Sequence, residues 1–435
     1  MNTNRSIPIL PETNWTWHKL PFKDLIAASC GHSIEWFDWT IYAIFAVYFS
    51  TQFFPKGNDA LALVNTYAMF ALAFFLRPLG GIIMGRFADL YGRKPAMIFT
   101  ISLMAGGSAV IGLLPTFEQI GWASPLLLLV ARAAQGISLG GEVPNASSYL
   151  AEIAPDDRRG RYSAFYYIST GSAALLAAFI GLLITKLLTT DQLVSWGWRI
   201  PFLMGGLLSL AGLWLRRTMP ESRAFEKYVG SAVKIINPWL ATIRRHPKSV
   251  FQLVGLTILN TLAYWTYFAA LVPFATKQRG ADDGDVFAAL SIGTLVFILL
   301  QYPFGALSDR FGRKPMVILW AIITGISTVP LSKLISNDAV LLTIVFSAGL
   351  ATYSMYSSIS CALMSELFPT NIRATGLGIW LNLTVATFGG TASLVITVLG
   401  NLGFQNAFFW YMTAGAVVAL LTALTLKETN GKPLE

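Results

Sequence analysis

Charged side chains are scarce in this chain of 435 residues. Asp, Glu, Lys and Arg make up 12% of it, whereas hydrophobic residues make up 54%. Soluble proteins carry about twice that share of charge. The composition therefore excludes a soluble enzyme and a disordered protein. Although the net charge is +9, few charges lie within the long apolar runs, and we expect no nucleic-acid partner.

Cysteine and histidine are also rare. Cys30 and Cys361 lie far apart in apolar stretches, without the spacing of metal ligands, so neither a disulfide nor a metal site is expected. The three histidines form no HExxH motif, and CxxC and Walker motifs are missing as well. These absences argue against a membrane-embedded enzyme and an ATP-driven pump, and we expect no cofactor beyond a proton gradient.

What the chain has instead is a series of long apolar runs. A helix that crosses a bilayer needs about 20 such residues, and about twelve spans fit into the chain. The predicted fold is therefore an all-α integral membrane protein of twelve transmembrane helices. The predicted spans are 24–53, 61–85, 96–115, 124–147, 162–187, 198–216, 248–275, 286–307, 316–335, 340–366, 375–400 and 406–427.

Basic residues predict the orientation. Most of them lie at the chain termini, between alternate spans and in the polar stretch 217–247, where the positive-inside rule places the cytoplasm. Both termini are therefore predicted to be cytoplasmic. The predicted organisation is an N-terminal segment (1–23), a six-helix bundle (24–216), a central loop (217–247), a second six-helix bundle (248–427) and a tail (428–435).

Two motifs occur once in each half. The segment from Gly85 to Pro95, GRFADLYGRKP, recurs from Gly305 to Pro315 as GALSDRFGRKP, each time after the second span of its half. A second set recurs with the same spacing after the fourth span: Glu152, Pro155 and Arg159, then Glu366, Pro369 and Arg373. Two motifs repeated at matched positions indicate a duplicated six-helix unit arranged around a central path.

The chemistry of these motifs is suited to a latch. Gly92 and Gly312 permit a tight turn, while each motif's Asp can pair with an Arg or a helix N-terminus. Such pairs would form when the cytoplasmic side is closed and break when it opens; the alternative is that they only anchor loops to anionic lipid. The predicted gating residues are Asp89, Arg93, Glu152, Arg159, Asp309, Arg313, Glu366 and Arg373, with Glu142 as a gate or a proton site.

Ionisable residues within the predicted spans are the next signal. Glu35 and Asp38 in span 1, Arg77 in span 2 and Arg132 in span 4 would be costly in lipid unless they were paired or faced water. Protonation of an acid would release its arginine, which couples proton binding to helix movement. We expect Asp38 to accept the proton with Arg132 as its partner and Glu35 and Arg77 assisting; the alternative is a static salt-bridge cluster.

Several motifs resemble a known family. The duplicated GxxxDxxGRKP loop resembles the signature of the major facilitator superfamily. GHSIEWFD from Gly31, FLRPLGG from Phe75, RAAQGISLGGE from Arg132 and WGWRIPF from Trp196 are similar to the metabolite:proton symporter family. The short tail and the Phe408–Tyr411 stretch are most similar to its α-ketoglutarate branch. The resemblance supports a proton-coupling pair of Asp38 with Arg132.

Substrate candidates follow from charge and from this resemblance. A dicarboxylate is best held by a bidentate arginine. The candidates to bind it are Arg77, Arg132 and Arg199, with Lys186 as a weaker one. The resemblance implies functional roles for Arg93 and Arg199, that of Arg93 in gating. His32, where the family usually has Asn, would relay protons, recognise an anion or bond to a neighbouring helix. Aromatic and polar candidates for the substrate pocket are Asn260, Tyr264, Trp265, Tyr267, Tyr353, Tyr356 and Ser357. The alternative for each is a role in packing or at the membrane interface.

The sequence therefore predicts a secondary active transporter. We expect proton symport, in the uptake direction, of a small organic anion, a di- or tricarboxylate such as α-ketoglutarate or citrate. The alternatives are symport of a zwitterionic osmolyte such as proline or betaine, and export of a polycarboxylate metabolite or metallophore. Besides the substrate and protons, the expected partner is the lipid bilayer of a bacterial inner membrane, with the protein acting as a monomer.

Overall fold

The computed structural model describes residues 22–55, 57, 59–218, 220–221, 238–275, 279–392, 395–396, 399, 402–404 and 406–434. The predicted N-terminal segment and most of the central loop lie outside these residues. The long helices, numbered here in chain order, are α1 Phe22–Phe53, α2 Asp59–Tyr91, α3 Arg93–Leu113, α4 Ala123–Ile153, α5 Arg159–Leu187, α6 Arg199–Thr218, α7 Pro247–Trp265, α8 Asp283–Phe311, α9 Arg313–Lys333, α10 Ala339–Glu366, α11 Arg373–Thr384 and α12 Ala407–Thr425.

The apolar runs form helices that are long enough to cross a bilayer. Within the described residues, ten stretches meet this criterion, and they correspond to α2–α10 and α12. The remaining two helices, α1 and α11, lie at the first and eleventh predicted spans. The predicted all-α membrane fold is confirmed. Several helices run beyond their predicted spans because the polar motifs continue the helix instead of forming loops, as where α2 ends at Tyr91.

Two pseudo-equivalent contacts join the halves. Within the first half α2 packs on α4, and within the second α8 packs on α10. Between the halves, α2 lies against α11 and α8 lies against α5. The first glycine of each repeated motif permits this approach: a Cβ atom at Gly85 would lie 2.8 Å from the Ala374 carbonyl oxygen, and one at Gly305 would lie 2.6 Å from that of Gly160.

The turns after α2 and α8 show why the motifs contain a second glycine. Gly92 has φ 109° and Gly312 has φ 101°, a conformation that L side chains rarely adopt. Each turn ends one helix and begins the next directly, so the following Arg93 or Arg313 is the first residue of α3 or α9. We refer to the end of the bundle that carries these two turns as the motif end; it is the end that the sequence predicts to be cytoplasmic.

Candidate functional site

A cavity lies between the two halves. It contains about 590 Å³ of space free of protein atoms, including its open part, and is lined by α1, α2, α4 and α5 of the first half and α7, α10 and α11 of the second. Six aromatic side chains make up much of its wall. They are Trp36, Tyr166, Tyr167, Tyr264, Trp265 and Tyr353. A central cavity between two helical bundles is where transporters of this architecture bind substrate.

Arg77 is the cationic side chain of this wall. It is 3% exposed, and its guanidinium carbon lies 4.9 Å from the ring centre of Phe74 and 5.3 Å from that of Trp39. Among the residues that the structure describes, no carboxylate forms an ion pair with Arg77, and its Nε has no hydrogen-bond partner. An arginine held by aromatic faces in a cavity retains its charge for an anionic ligand.

Polar groups complete the lining. The Tyr353 hydroxyl donates to Asn260 Oδ1 over 3.1 Å. Asn382 donates from its amide nitrogen to the carbonyl oxygens of Gly140, at 2.7 Å, and Gly378, at 2.8 Å. The bond to Gly140 joins α11 to α4 across the two halves. This amide therefore contributes both to the cavity wall and to the contact between the halves.

Arg199 lies elsewhere. It is the first residue of α6 and donates to the carbonyl oxygens of Ser195, at 3.2 Å, and Leu114, at 3.0 Å, with its guanidinium over the Trp198 ring. Leu114 follows α3 at the end opposite to the motif end. The prediction that Arg199 lines the substrate pocket is wrong in this structure, because the residue forms part of the junction between α3 and α6.

Two of the four candidate tyrosines do not line the cavity. Tyr264 and Tyr353 do, as do the candidates Asn260 and Trp265, but Tyr267 packs beside Gly349 within the second half. Tyr356 stacks on Trp320, with ring centres 4.2 Å apart. Tyr267 and Tyr356 thus pack in the core of the second half, which corrects the prediction for both.

His32 is a buried residue bonded to a neighbouring helix. Its Nε2 lies 3.0 Å from the hydroxyl oxygen of Thr170 on α5, and its ring lies 3.8 Å from that of Tyr166. Of the roles considered from the sequence, this contact matches the bond to a neighbouring helix. His32 does not line the cavity itself but lies behind Tyr166, which does.

Asp38 and Arg132 are joined indirectly. Asp38 Oδ2 accepts a short hydrogen bond from Ser108; Gln135 donates to the Ser108 hydroxyl over 2.8 Å, and Arg132 donates to Gln135 Oε1 over 2.6 Å. No ion pair between Asp38 and Arg132 occurs within the described part of the chain, so the expected direct pairing is replaced by two intervening side chains. The guanidinium of Arg132 instead lies 4.0 Å from the ring centre of Tyr42.

Glu35 and Glu142 share one arginine, Arg216, which lies near the end of α6. Arg216 is 1% exposed and donates to both oxygens of Glu142. Its Nη1 also lies 3.6 Å from Glu35 Oε1. In the sequence Arg216 is one of the basic residues whose distribution predicts the orientation, and only the packing of α6 on α1 and α3 reveals it as a buried counter-ion. Glu142 therefore lies inside the first half and not in the motif-end network.

The repeated motif residues form a buried network at the motif end. In the first copy Arg93 lies 2.7 Å from Asp89 and 3.2 Å from Glu152, and Arg373 of the second half lies 2.6 Å from Glu152. Asp89 also accepts from the backbone N–H of Thr375, in the first turn of α11, over 2.9 Å. The network therefore joins α2, α3 and α4 to the N-terminus of α11.

The second copy repeats this arrangement with the halves exchanged. Arg313 lies 2.8 Å from Asp309 and 3.8 Å from Glu366, and Arg159 of the first half lies 3.2 Å from Glu366. Asp309 accepts from the backbone N–H of Gly160, in the first turn of α5, over 2.7 Å. All eight motif residues predicted for gating therefore lie in contacts that hold the two halves together at one end.

Two further residues of the network at the motif end were not among the predicted gating residues. Glu221, just after α6, accepts from the backbone N–H of Arg93 over 2.9 Å, and Glu428, just after α12, accepts from that of Arg313 over the same distance. Each carboxylate thus binds the N-terminus of the helix that follows a motif turn, where the helix dipole favours negative charge. Their matched positions after the sixth and twelfth spans were the available signal.

Comparison with known proteins agrees with this architecture. Residues 23–235 match the family model "Sugar (and other) transporter", and residues 253–435 match "Major Facilitator Superfamily". The chain aligns over 94% of its length, and 96% of the other chain, with a double-tryptophan mutant of the xylose transporter XylE from Escherichia coli, with a TM-score of 0.76 and 18% identity. At that identity the likeness shows the fold.

Relatives at higher identity identify the family. The chain is 35% identical to the α-ketoglutarate permease of Escherichia coli, over 92% of this chain and 93% of the relative. It is 32% identical to the glycine betaine/proline/ectoine/pipecolic acid transporter OusA of Dickeya dadantii, over 95% of this chain and 84% of the relative. The chain therefore belongs to the major facilitator superfamily of transporters.

Proposed function

We propose that this protein takes up a small organic anion, a di- or tricarboxylate such as α-ketoglutarate or citrate, together with protons. The observation that carries the proposal is Arg77, a buried guanidinium in the wall of the central cavity without a carboxylate partner among the described residues. A fixed positive charge in a cavity of low polarity binds an anion strongly, and a planar guanidinium suits a carboxylate in particular.

Alternating access is the proposed mechanism. The contacts of Asp89 with α11 and of Asp309 with α5 hold the motif end closed, so substrate would reach the cavity from the other side. Rocking of the two halves would break these contacts and open the cavity at the motif end. Asp38 is the proposed proton acceptor, since it is 1% exposed and accepts its one described hydrogen bond from Ser108.

Binding measurements on Arg77 variants test the substrate proposal. For purified protein, we expect Arg77→Lys to weaken the affinity for α-ketoglutarate at least tenfold, because the point charge of lysine cannot make the bidentate contact, and Arg77→Met to weaken it further. Arg199→Lys serves as the matched control and should bind with unchanged affinity. Unaltered binding by Arg77→Met would refute the assignment of Arg77 as the anion site.

A zwitterionic osmolyte is the second candidate. The aromatic wall supplies faces that attract a quaternary ammonium group, while Arg77 would hold the carboxylate. OusA, by its name, transports betaine and proline. Separate binding isotherms of α-ketoglutarate and of glycine betaine for the wild-type protein distinguish the two: binding of betaine without binding of α-ketoglutarate would favour the osmolyte.

The remaining aspects of the proposal concern the setting of the protein. The bacterial inner membrane, cytoplasmic termini and a monomeric state are proposed from the distribution of basic residues and from the family. The family consists of transporters, and we propose no enzymatic activity for this chain. A proton gradient is the proposed source of energy.

A further inference from the structure

We propose that Glu35, Glu142 and Arg216 form a second proton-binding site, distinct from Asp38, in which Glu35 holds the proton in the conformation described here. The inference deepens the proposed function and rests on it for the link between proton and substrate. The three side chains come from α1, α4 and α6, and each is at most 1% exposed. Two acids thus lie against one cation in the interior of the first half.

The two acids differ in their hydrogen bonds: the carboxyl oxygens of Glu142 have donors, and those of Glu35 have none among the described residues. Glu142 accepts from both terminal nitrogens of Arg216 and, over 2.9 Å, from the hydroxyl of Thr100. Glu35 has its nearest cationic nitrogen at 3.6 Å, and neither of its oxygens has a hydrogen-bond partner among the described residues. Arg216 is further occupied by the carbonyl oxygen of Met97, at 2.7 Å. Its charge is therefore committed to Glu142.

Charge balance then requires a proton. Ionisation of both acids would leave one uncompensated negative charge at a buried site, which costs several kcal/mol in protein interiors. A neutral carboxyl at Glu35 avoids this cost and tolerates the absence of donors far better than a carboxylate would. One proton on Glu35 makes the group of three side chains electrically neutral.

The surroundings of Glu35 offer no other compensation within the described residues. On α1 it is near the imidazole of His32 and the carboxyl of Asp38, and Glu142 and Arg216 face it from α4 and α6. Three other ionisable groups belong to neighbouring helices. Tyr166 on α5 and Arg77 on α2 line the cavity, and Arg132 on α4 lies near Asp38. Arg77 lines the cavity, and Arg132 is linked to Asp38 through Gln135 and Ser108, so neither arginine neutralises Glu35.

The backbone makes room for this arrangement. A side chain at Gly31, on the same helix as Glu35, would collide with the guanidinium of Arg216. Likewise, a side chain at Gly205 on α6 would collide with the carboxyl of Asp38. Two glycines at the contact between α1 and α6 thus leave space for ionisable side chains, Gly31 for Arg216 and Gly205 for Asp38. The two proton sites are therefore structurally distinct.

Infrared spectroscopy of the purified, substrate-free protein tests the proposal. A protonated carboxyl gives a C=O stretching band that shifts in D₂O, and the wild type should show one from Glu35 at neutral pH. Glu35→Gln removes this band directly. Glu142→Gln should remove it too, because Arg216 is then free to stabilise an ionised Glu35. Asp38→Asn should leave the band in place.

Each single variant leaves Arg216 with one acid, a neutral pair, so we expect both to fold, as monitored by size-exclusion chromatography and thermal unfolding. Loss of the same band in both variants supports a shared proton. A band unchanged by either substitution overturns the proposal, and either variant alone suffices for that result. Because no substrate is present, the outcome is independent of whether the protein carries a dicarboxylate.

Transport gives a second readout. In proteoliposomes, the number of protons moved per substrate should fall by one in Glu35→Gln, with substrate affinity at saturating proton concentration maintained. If Glu35 formed only a structural ion pair, Glu35→Gln would lower protein stability and leave this ratio unchanged. An unchanged ratio would therefore also overturn the proposal. Absence of α-ketoglutarate uptake by the wild type would contradict the proposed substrate and leave the infrared result intact.

Discussion

Asp89 on α2 accepts two hydrogen bonds from Thr375 on α11, one from its backbone N–H over 2.9 Å and one from its hydroxyl over 2.5 Å. These residues belong to different halves of the protein, and Asp89 also pairs with Arg93 of its own half. One carboxylate thus links an ion pair within a half to a helix N-terminus of the other half. A change of its charge should therefore alter how firmly the motif end is closed.

Asp89→Asn should shift the protein toward states with an open motif end. Hydrogen bonds to a charged group contribute about 1.5–3 kcal/mol, so the closed population should fall roughly tenfold or more relative to the open one. Cys361, which lines the cavity and is 1% exposed, reports on the opening. In a Cys30→Ser background, the rate at which a maleimide alkylates Cys361 should rise.

Two variants control for this experiment. Asp309→Asn removes the equivalent carboxylate of the second motif and should accelerate alkylation in the same way. Asp338 caps the N-terminus of α10, at the end of the bundle opposite to the motif end. Asp338→Asn should leave the alkylation rate unchanged, because Asn is an equally good cap. Equal rates in all variants would exclude a latch made by Asp89 and Asp309.

How much of this could be predicted from the sequence depends on the type of signal. The repeated motif predicts both turns and all eight network residues, because spacing along one chain determines where each motif residue lies relative to its helix end. Arg216, by contrast, looks like any basic residue after an apolar run. Only the packing of α6 against α1 and α3 distinguishes a buried counter-ion from a residue at the membrane surface.

The cavity shows the same limit. Tyr264 and Tyr267 are three residues apart, yet one lines the cavity and the other packs beside Gly349. Helices that are apolar all round carry no amphipathic pattern to indicate which side faces the cavity. Likewise, the number of side chains between Asp38 and Arg132 depends on contacts among α1, α3 and α4, which are distant in sequence.

Asp38→Asn should uncouple transport from the proton gradient. An Asn side chain can still accept the hydrogen bond from Ser108, so the local packing should be retained while the group that binds the proton is lost. We expect uptake in proteoliposomes to stop at equilibrium instead of continuing against the concentration gradient, whereas exchange of labelled for unlabelled substrate continues. Uphill uptake at the wild-type level would contradict the role of Asp38.

Arg199→Gln should affect stability and transport rate but not substrate affinity. Its hydrogen bonds to the carbonyl oxygens of Ser195 and Leu114 fasten the start of α6 to the end of α3, outside the cavity. Loss of either bond should lower the free energy of unfolding by about 1 kcal/mol. Thermal unfolding together with a binding isotherm checks this expectation; a large loss of affinity at unchanged stability would return Arg199 to the list of substrate ligands.

Glu428→Gln should destabilise the protein at neutral pH and much less in acid. Although partial burial raises the pKa of the Glu428 carboxyl, the backbone N–H groups of Arg313, Asn430, Lys314 and Thr429 together hold that pKa below its ordinary value. A carboxylate with a lowered pKa in the folded state stabilises the protein above the unfolded pKa, near pH 4.3, and this contribution is lost as the pH falls through the folded pKa.

The measurement is the difference in Tm between wild type and Glu428→Gln in detergent, recorded from pH 7 to the lowest pH at which both remain folded. Carboxylates at helix N-termini contribute about 0.3–1 kcal/mol, so the variant should unfold at a slightly lower temperature at pH 7, and the difference should shrink as the pH falls below about 4. Asp157→Asn removes an exposed carboxylate whose ion pair with Arg158 is also exposed, and should show no such trend. A Tm difference that stays constant over this range would mean that Glu428 acts through packing, and the N–H groups at the start of α9 would not depend on its charge.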